Sequence, residues 1–212
     1  MGLYIDLHVH TKRHSTCSAI APDRLVKQAV NAGLSGLVIT EHQYQWSEPE
    51  LDELRNMSGA PGLLVLAGFE YTSKRGDILI YGLEKPDADA FPPGLAPDEA
   101  LELAAGLGGV CVAAHPTRAG MGFDEAIFSL PFNAIEVASV NLKPHEQRLA
   151  KNIANKARKP AIAASDAHRL DQVGRYATEF TVPVQSMADL QEALVHGRFH
   201  LAGNTAGRIV VP

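Results

Sequence analysis

The sequence predicts an α/β fold in which a mostly parallel sheet closes into a barrel, and the expectation rests on two patterns. Short apolar, often β-branched segments alternate with amphipathic helical ones along the chain, as strand–helix units require. Histidine, aspartate and glutamate recur at the C-terminal ends of those apolar segments. In a closed barrel such ends meet at one mouth, whereas an open sheet would spread them along an edge. At 212 residues, a single domain spanning residues 1–212 is expected.

The first strand is "LYIDLHV" (3–9), where strict alternation would put Leu3, Ile5, Leu7 and Val9 on one face and Tyr4, Asp6, His8 and His10 on the other. "APDRLVKQAVNAG" follows as a helix with Leu25, Val26, Ala29 and Val30 on one stripe, Pro22 in its first turn and Gly33 as its stop. Strands are then expected at "GLVITEH" (36–42), "LLVLAGFEY" (63–71), "ILIYGL" (78–83) and "GVCVAAH" (109–115). The Pro-rich stretch "EKPDADAFPPGLAP" (84–97) reads as a loop, and "APDEALELAAGLG" as a helix after it. "AIEVAS" (134–139), "AIAASDAH" (161–168) and "FTVPV" (180–184) complete the strands, with the helix "KPHEQRLAKNIANKAR" between the first two. In "SMADLQEALVHG", Ser186 and Asp189 form a capping box and Gly197 ends the helix.

Composition narrows the function classes. A net charge of −5 leaves no basic surplus for a phosphate backbone, so nucleic acid is expected to be an unlikely partner. Two cysteines, Cys17 and Cys111, show no disulfide framework. With no basic n-region and no apolar run long enough for a membrane span, a soluble cytoplasmic protein without a membrane partner is expected. Oligomeric state is not legible. Neither a GxSxG elbow nor a Walker loop occurs, so no serine nucleophile or phosphate cradle of those kinds is indicated.

The polar strand ends are the informative feature. Imidazole nitrogens and carboxylate oxygens together suit zinc, manganese or iron, and a carboxylate can bridge two such ions. The "HVH" pair, His8 and His10, is the sharpest signal, because neighbouring imidazoles on one face are reconciled by a shared cation. Taken in order, "DLHVHT", "ITEH", "GFE", "AAHP" and "ASDAH" resemble the PHP family, named for its polymerases and histidinol phosphatases. The resemblance covers nearly the whole chain, with "MADLQEALVHGRF" similar to the family's closing helix.

That resemblance implies a distorted (β/α)7 TIM-like barrel, of about seven strands, with its metal site at the C-terminal strand ends. It implies two or three divalent ions, zinc, manganese or iron, and hydrolysis of phosphate esters through a metal-activated water. Carried over by residue, His8, His10 and Asp166 would hold a first ion, which Glu70 bridges to a second ion held by His115. His42 and His168 would form a third site with a ligand from the loop after the first strand, where His14 or Cys17 is available. Asp77 stands where many relatives have a histidine; its oxygen would harden the site toward manganese or iron.

Glu70, Asp166 and His168 are therefore the residues on which catalysis is expected to rest. Glu41 and Asp6 are expected to orient ligand histidines, and Glu136 and Asn141 to reach substrate or water. Arg118 and Arg169, each just beyond a ligand motif, are expected to grip a small phosphorylated substrate. The function so implied is that of a phosphomonoesterase; alternatives are a phosphodiesterase or exonuclease on nucleic acid, or a metal-binding module without turnover.

Overall fold

The computed structural model describes residues 2–202, so the ends of the single domain expected over 1–212 lie outside the described residues. Its frame is β1 (Leu3–Val9), α1 (Pro22–Ala32), β2 (Gly36–His42), α2 (Glu48–Ser58), β3 (Leu64–Ser73) and β4 (Gly76–Tyr81). There follow α3 (Lys85–Asp89), α4 (Pro97–Gly106), β5 (Val110–Ala113), β6 (Ala134–Ala138), α5 (Pro144–Ala157) and β7 (Ala161–Ala163). The described chain ends with β8 (Thr178–Phe180), α6 (Met187–Val195) and β9 (Phe199–Leu201). Among the described residues no helix is long and apolar enough to cross a membrane.

The sheet order is β7-β6-β5-β4-β3-β2-β1-β8-β9. It curls until the segment after β7 meets β1: the Asp166 amide donates to the His8 carbonyl at 2.8 Å and the His10 amide to the Ala167 carbonyl at 3.1 Å. Lower in the barrel, the Thr178 hydroxyl of β8 donates to the Ala163 carbonyl of β7 at 2.9 Å. The result is a distorted barrel of mixed rather than uniformly parallel strands. β4 runs antiparallel to both β3 and β5, because Ser73–Gly76 close a tight hairpin where a crossover helix would otherwise stand. This reversal puts Asp77, at the start of β4, opposite Thr72 near the end of β3, so an N-terminal strand end contributes to the mouth.

One layer of apolar side chains fills the barrel: Ile5, Leu7, Val38, Leu79 and Val112 pack there with Leu190 and Leu194 of α6. A second lies between β1–β3 and helices α1 and α2, and a third between β3–β6 and helices α4 and α5. Strict alternation in β1 fails. Its ladder to β2 shifts between Asp6 and Val9, and Val9 leaves the cluster of Ile5 and Leu7 for the outer layer with α1 and α2. Such an irregularity beside a site turns side chains to a new direction, and here it sits at His8.

Other differences from expectation are local. α2 was not expected because its stripe is short and its surface heavily charged; a capping box between Ser47 and Glu50 starts it. The Pro-rich loop contains the short α3. The strand expected over 161–168 stops at Ala163, since the residues beyond it turn into the mouth. β8 starts two residues earlier than expected and ends at Phe180, and β9 was too short to read. Ser186 caps α6 as expected, its hydroxyl accepting from the Asp189 amide at 3.2 Å.

Candidate metal centre

The mouth collects residues from the ends of six strands and the chain just beyond them. His8 and His10 come from β1, His42 from β2, Glu70 from β3, Asp77 from β4, His115 from just past β5, and Asp166 and His168 from beyond β7. His8, His10, Glu70, Asp77, His115 and Asp166 are all buried. The backbone is bent to deliver two of them: His115 has φ of 26° and Asp166 φ of 51°, a region costly for residues with a side chain. Hydrogen bonds hold both bends. The His115 amide donates to Glu136 Oε2 at 2.7 Å, and Asn141 Nδ2 donates to the Asp166 carbonyl and to its Oδ2, each at 2.8 Å.

The donor atoms face one another. His8 Nε2 and His10 Nε2 lie 3.0 Å apart; Glu70 Oε2 is 3.3 Å from His10 Nε2 and 2.9 Å from His42 Nδ1. Asp166 Oδ1 lies 3.5 Å from both His8 Nε2 and His10 Nε2, and His115 Nε2 lies 3.0 Å from Glu70 Oε1. Four sets have ligand atoms mutually within 4.8 Å: His10, His42 and His168; His8, His115 and Asp166; His8, His10 and Glu70; Glu70, Asp77 and His115. The sets overlap, so residues such as Glu70 can serve more than one ion.

The residues fit divalent metal on grounds independent of motif. Glu70 Oε2, Asp77 Oδ2 and His115 Nδ1 are buried without a hydrogen-bond partner, and burying such atoms unpaired is expensive. Glu70 Oε2 stands beside imidazole nitrogens of His10 and His42, and His115 Nε2 lies 3.9 Å from Asp77 Oδ2. Tautomers point the same way: Glu136 Oε1, an acceptor, sits 3.1 Å from His8 Nδ1. The proton therefore belongs on Nδ1, and the Nε2 lone pair of neutral His8 faces the cluster. Likewise the Asp166 carbonyl, 3.0 Å from His168 Nδ1, assigns the proton there and leaves Nε2 free.

Metal-free, the cluster is a dense array of coupled charges. Burial pulls His8 toward its neutral form, but Asp166, Glu70 and Glu136 outweigh it and hold its pKa well above the ordinary value. His10 is raised against burial by Asp166 and Glu70, and His115 is raised against burial by Glu70 to about 9. Burial favours protonation of Glu70, yet His8 and the neighbouring imidazoles hold its carboxyl well below the usual range. Asp166 is depressed similarly, chiefly by His8.

Several expectations need revision. Glu41 touches no histidine: it accepts from the Thr11 amide at 3.0 Å and from Trp46 Nε1 at 3.1 Å, fixing the chain just after His10. Asp6 also acts on backbone, accepting from the Ser165 amide at 2.8 Å and the His8 amide at 3.4 Å. The orienting acid is Glu136, which the sequence marked only as a contact to substrate or water. A glutamate inside an apolar strand was the signal available for it. His14 is not brought to the cluster; its Nε2 lies 2.9 Å from Glu50 and its ring stacks on Tyr44. Cys17 is a free, exposed thiol. Arg118 Nη1 lies 3.7 Å from Asp166 Oδ2, at the mouth, whereas Arg169 is exposed and directed at Asp171 at 3.3 Å.

Glu136→Gln should lower metal affinity by about 10- to 100-fold, because a carboxylate that orients a ligand imidazole also raises its basicity. Isothermal titration with manganese measures the change.

Comparison with known proteins agrees with this architecture. The PHP-associated family model matches residues 144–199, which include α6, the expected closing helix. The uncharacterized protein MJ1587 of Methanocaldococcus jannaschii is 28% identical over 159 residues, spanning 70% of this chain and 87% of its own. A two-domain Bacteroides vulgatus protein containing a predicted PHP-like metal-dependent phosphoesterase superposes with a TM-score of 0.73 at 20% identity. That match covers 94% of this chain and 64% of the other. The lesion-specific endonuclease PfuEndoQ of Pyrococcus furiosus superposes with a TM-score of 0.68 at 16% identity, over 95% of this chain and 58% of its own. This chain thus spans less than two thirds of either structure. Endonuclease Q is also known in complex with a 27-mer duplex substrate.

The last match overturns the expectation that nucleic acid is an unlikely partner. Net charge is a weak guide here because it counts acids that never reach the surface: Asp6, Glu41, Glu70, Asp77, Glu136 and Asp166 are all buried. Phosphate contacts are made locally by exposed groups.

Proposed function

We propose that the chain is a PHP-like metal-dependent phosphoesterase, a phosphoric ester hydrolase acting on the phosphomonoester of a small metabolite or nucleotide; the family match over residues 144–199 and the fold shared with the Bacteroides vulgatus protein support this reading. The observation that supports this most is the buried, overlapping ligand cluster with carboxylate and imidazole atoms left unpaired. His8, His10, Glu70 and Asp166 would hold one ion, Glu70, Asp77 and His115 another, and His42 and His168 with His10 a third. Bound divalent ions supply an acidified water near neutral pH and neutralise charge developing on phosphoryl oxygens.

The chain's own residues position the reaction. Glu136 keeps the His8 Nε2 lone pair turned inward, while Asn141 fixes Asp166 Oδ2 so that Oδ1 faces the imidazoles. Arg118, about one-third exposed beside Asp166, is placed to clamp a substrate phosphate. Arg118→Ala should raise KM for a phosphomonoester by about tenfold with metal content unchanged, as loss of a charge-assisted contact to bound substrate predicts. Steady-state kinetics with elemental analysis on the same preparation checks it.

A second reading, phosphodiester cleavage in nucleic acid, is favoured by the endonuclease Q superposition. A screen of phosphorylated metabolites, mononucleotides and single- and double-stranded DNA, with Glu70→Ala as control, separates the two. Turnover of monoesters lost in the control supports the first reading; cleavage of DNA alone replaces it with the second.

A further inference from the structure

The cluster is not chemically uniform. Its inner set, Glu70, Asp77 and His115, is wholly buried and offers two carboxylates with one imidazole. Its outer set, His10, His42 and His168, offers imidazoles only, and two of its three members reach solvent. The outer rings form a compact group around His10, whose centroid lies 4.5 Å from those of both His42 and His168. That set holds no carboxylate of its own and meets Glu70 Oε2, 2.9 Å from His42 Nδ1, as a group shared with its neighbours, while the inner set brings two formal negative charges into a site closed to water.

These donor sets suit different ions. Imidazole is a borderline ligand matched to zinc, whereas carboxylate oxygen is hard and matched to manganese or iron(II). Burial sharpens the contrast, since carboxylates shut away from water need a cation more than neutral imidazoles do. Of the three unpaired cluster atoms, Asp77 Oδ2 lies in the inner set, while Glu70 Oε2 is turned to His10 and His42 and its Oε1 to His115. The third, His115 Nδ1, also belongs to an inner residue.

Resting on the reading of the mouth as a metal centre, we propose that its two ends select different ions. The inner set takes manganese or iron(II) and the outer set takes zinc, with Asp77 as the residue that sets the inner preference. Raw affinity alone would let zinc win everywhere, because it binds mixed nitrogen and oxygen sites more tightly than manganese. The distinction therefore lies in how much zinc each end needs to exchange.

The test is a zinc titration. Full-length protein is stripped with chelator, dialysed against manganese chloride, exposed to stepwise zinc chloride and desalted, and both metals per chain are measured by elemental analysis. Manganese released is followed as the free aqua ion by electron paramagnetic resonance. The expected result is two phases. Zinc rises by about one equivalent while one manganese per chain is retained, and that manganese leaves only at zinc concentrations about tenfold higher or more. In Asp77→His the second phase should move toward the first; in the His42→Ala, His168→Ala double variant the first should vanish. A single phase in the native protein, or no shift in Asp77→His, overturns the partition while leaving the metal centre intact. Failure to bind either ion overturns the metal-centre reading and the partition with it.

Discussion

Glu70→Gln is expected to remove at least one bound ion per chain and to lower hydrolysis by about three orders of magnitude. The expectation follows from where its two oxygens lie. Oε1 meets His115 at 3.0 Å, and Oε2 meets His10 and His42 at 3.3 and 2.9 Å. Glu70 is thus shared by two of the ligand sets, one leading to β1 and the other to β4 and β5. The amide keeps the shape of the side chain but loses its charge, so a bridging role fails while packing survives. Metal content and kcat are read together, with circular dichroism to show that the barrel persists. Unchanged turnover in a folded Glu70→Gln protein would refute the assignment of Glu70.

Metal binding should also be strongly pH-dependent, with protons released on uptake. In the metal-free state His8 and His10 are raised above their ordinary value, and His115 to about 9. His115, raised to about 9, carries its proton at pH 7, and an ion must displace it. Apparent affinity should therefore fall as pH drops from about 9 toward 6, by about tenfold per pH unit for each proton displaced. Stability of the metal-free protein moves in the opposite sense. Raised histidines contribute stability that is complete below their unfolded pKa, about 6.5, and is lost as pH rises through the folded values. Metal-free protein should thus melt at a lower temperature at pH 9.5 than at pH 6.5, and saturating metal should remove that difference. Proton release into weak buffer during a manganese titration checks the first effect; calorimetry with and without chelator checks the second.

The parts of this arrangement that sequence made legible are those governed by period and punctuation. β1 and β2 fall where the apolar runs place them, because each is bounded by turn residues. The helix stop at Gly33 follows from a left-handed cap that glycine adopts without strain, at φ of 80°. The ligand types were readable because histidine and acid at the end of an apolar strand have few bland explanations when they recur.

What was not legible depended on three-dimensional register. The shift between Asp6 and Val9 breaks the two-residue period on which the face assignment of β1 rested. The reversal of β4 depends on a four-residue hairpin rather than on any feature of the strand itself, yet it explains how Asp77 reaches the mouth. Glu136 takes the orienting role expected of Glu41, because motif proximity marks sequence neighbours while the carboxylate beside His8 Nδ1 comes from β6, 128 residues away. His14 shares its loop with potential ligands, but Glu50 and the Tyr44 ring provide nearer partners.

Elemental analysis of protein purified without a histidine tag or chelator shows directly whether this mouth is a multinuclear metal centre. A His8→Ala, His10→Ala double variant is prepared in parallel. Two or three equivalents of manganese, iron or zinc per chain are expected, reduced by at least one in the variant. Native protein that holds no divalent metal, and takes up none from added manganese or zinc, would contradict that assignment.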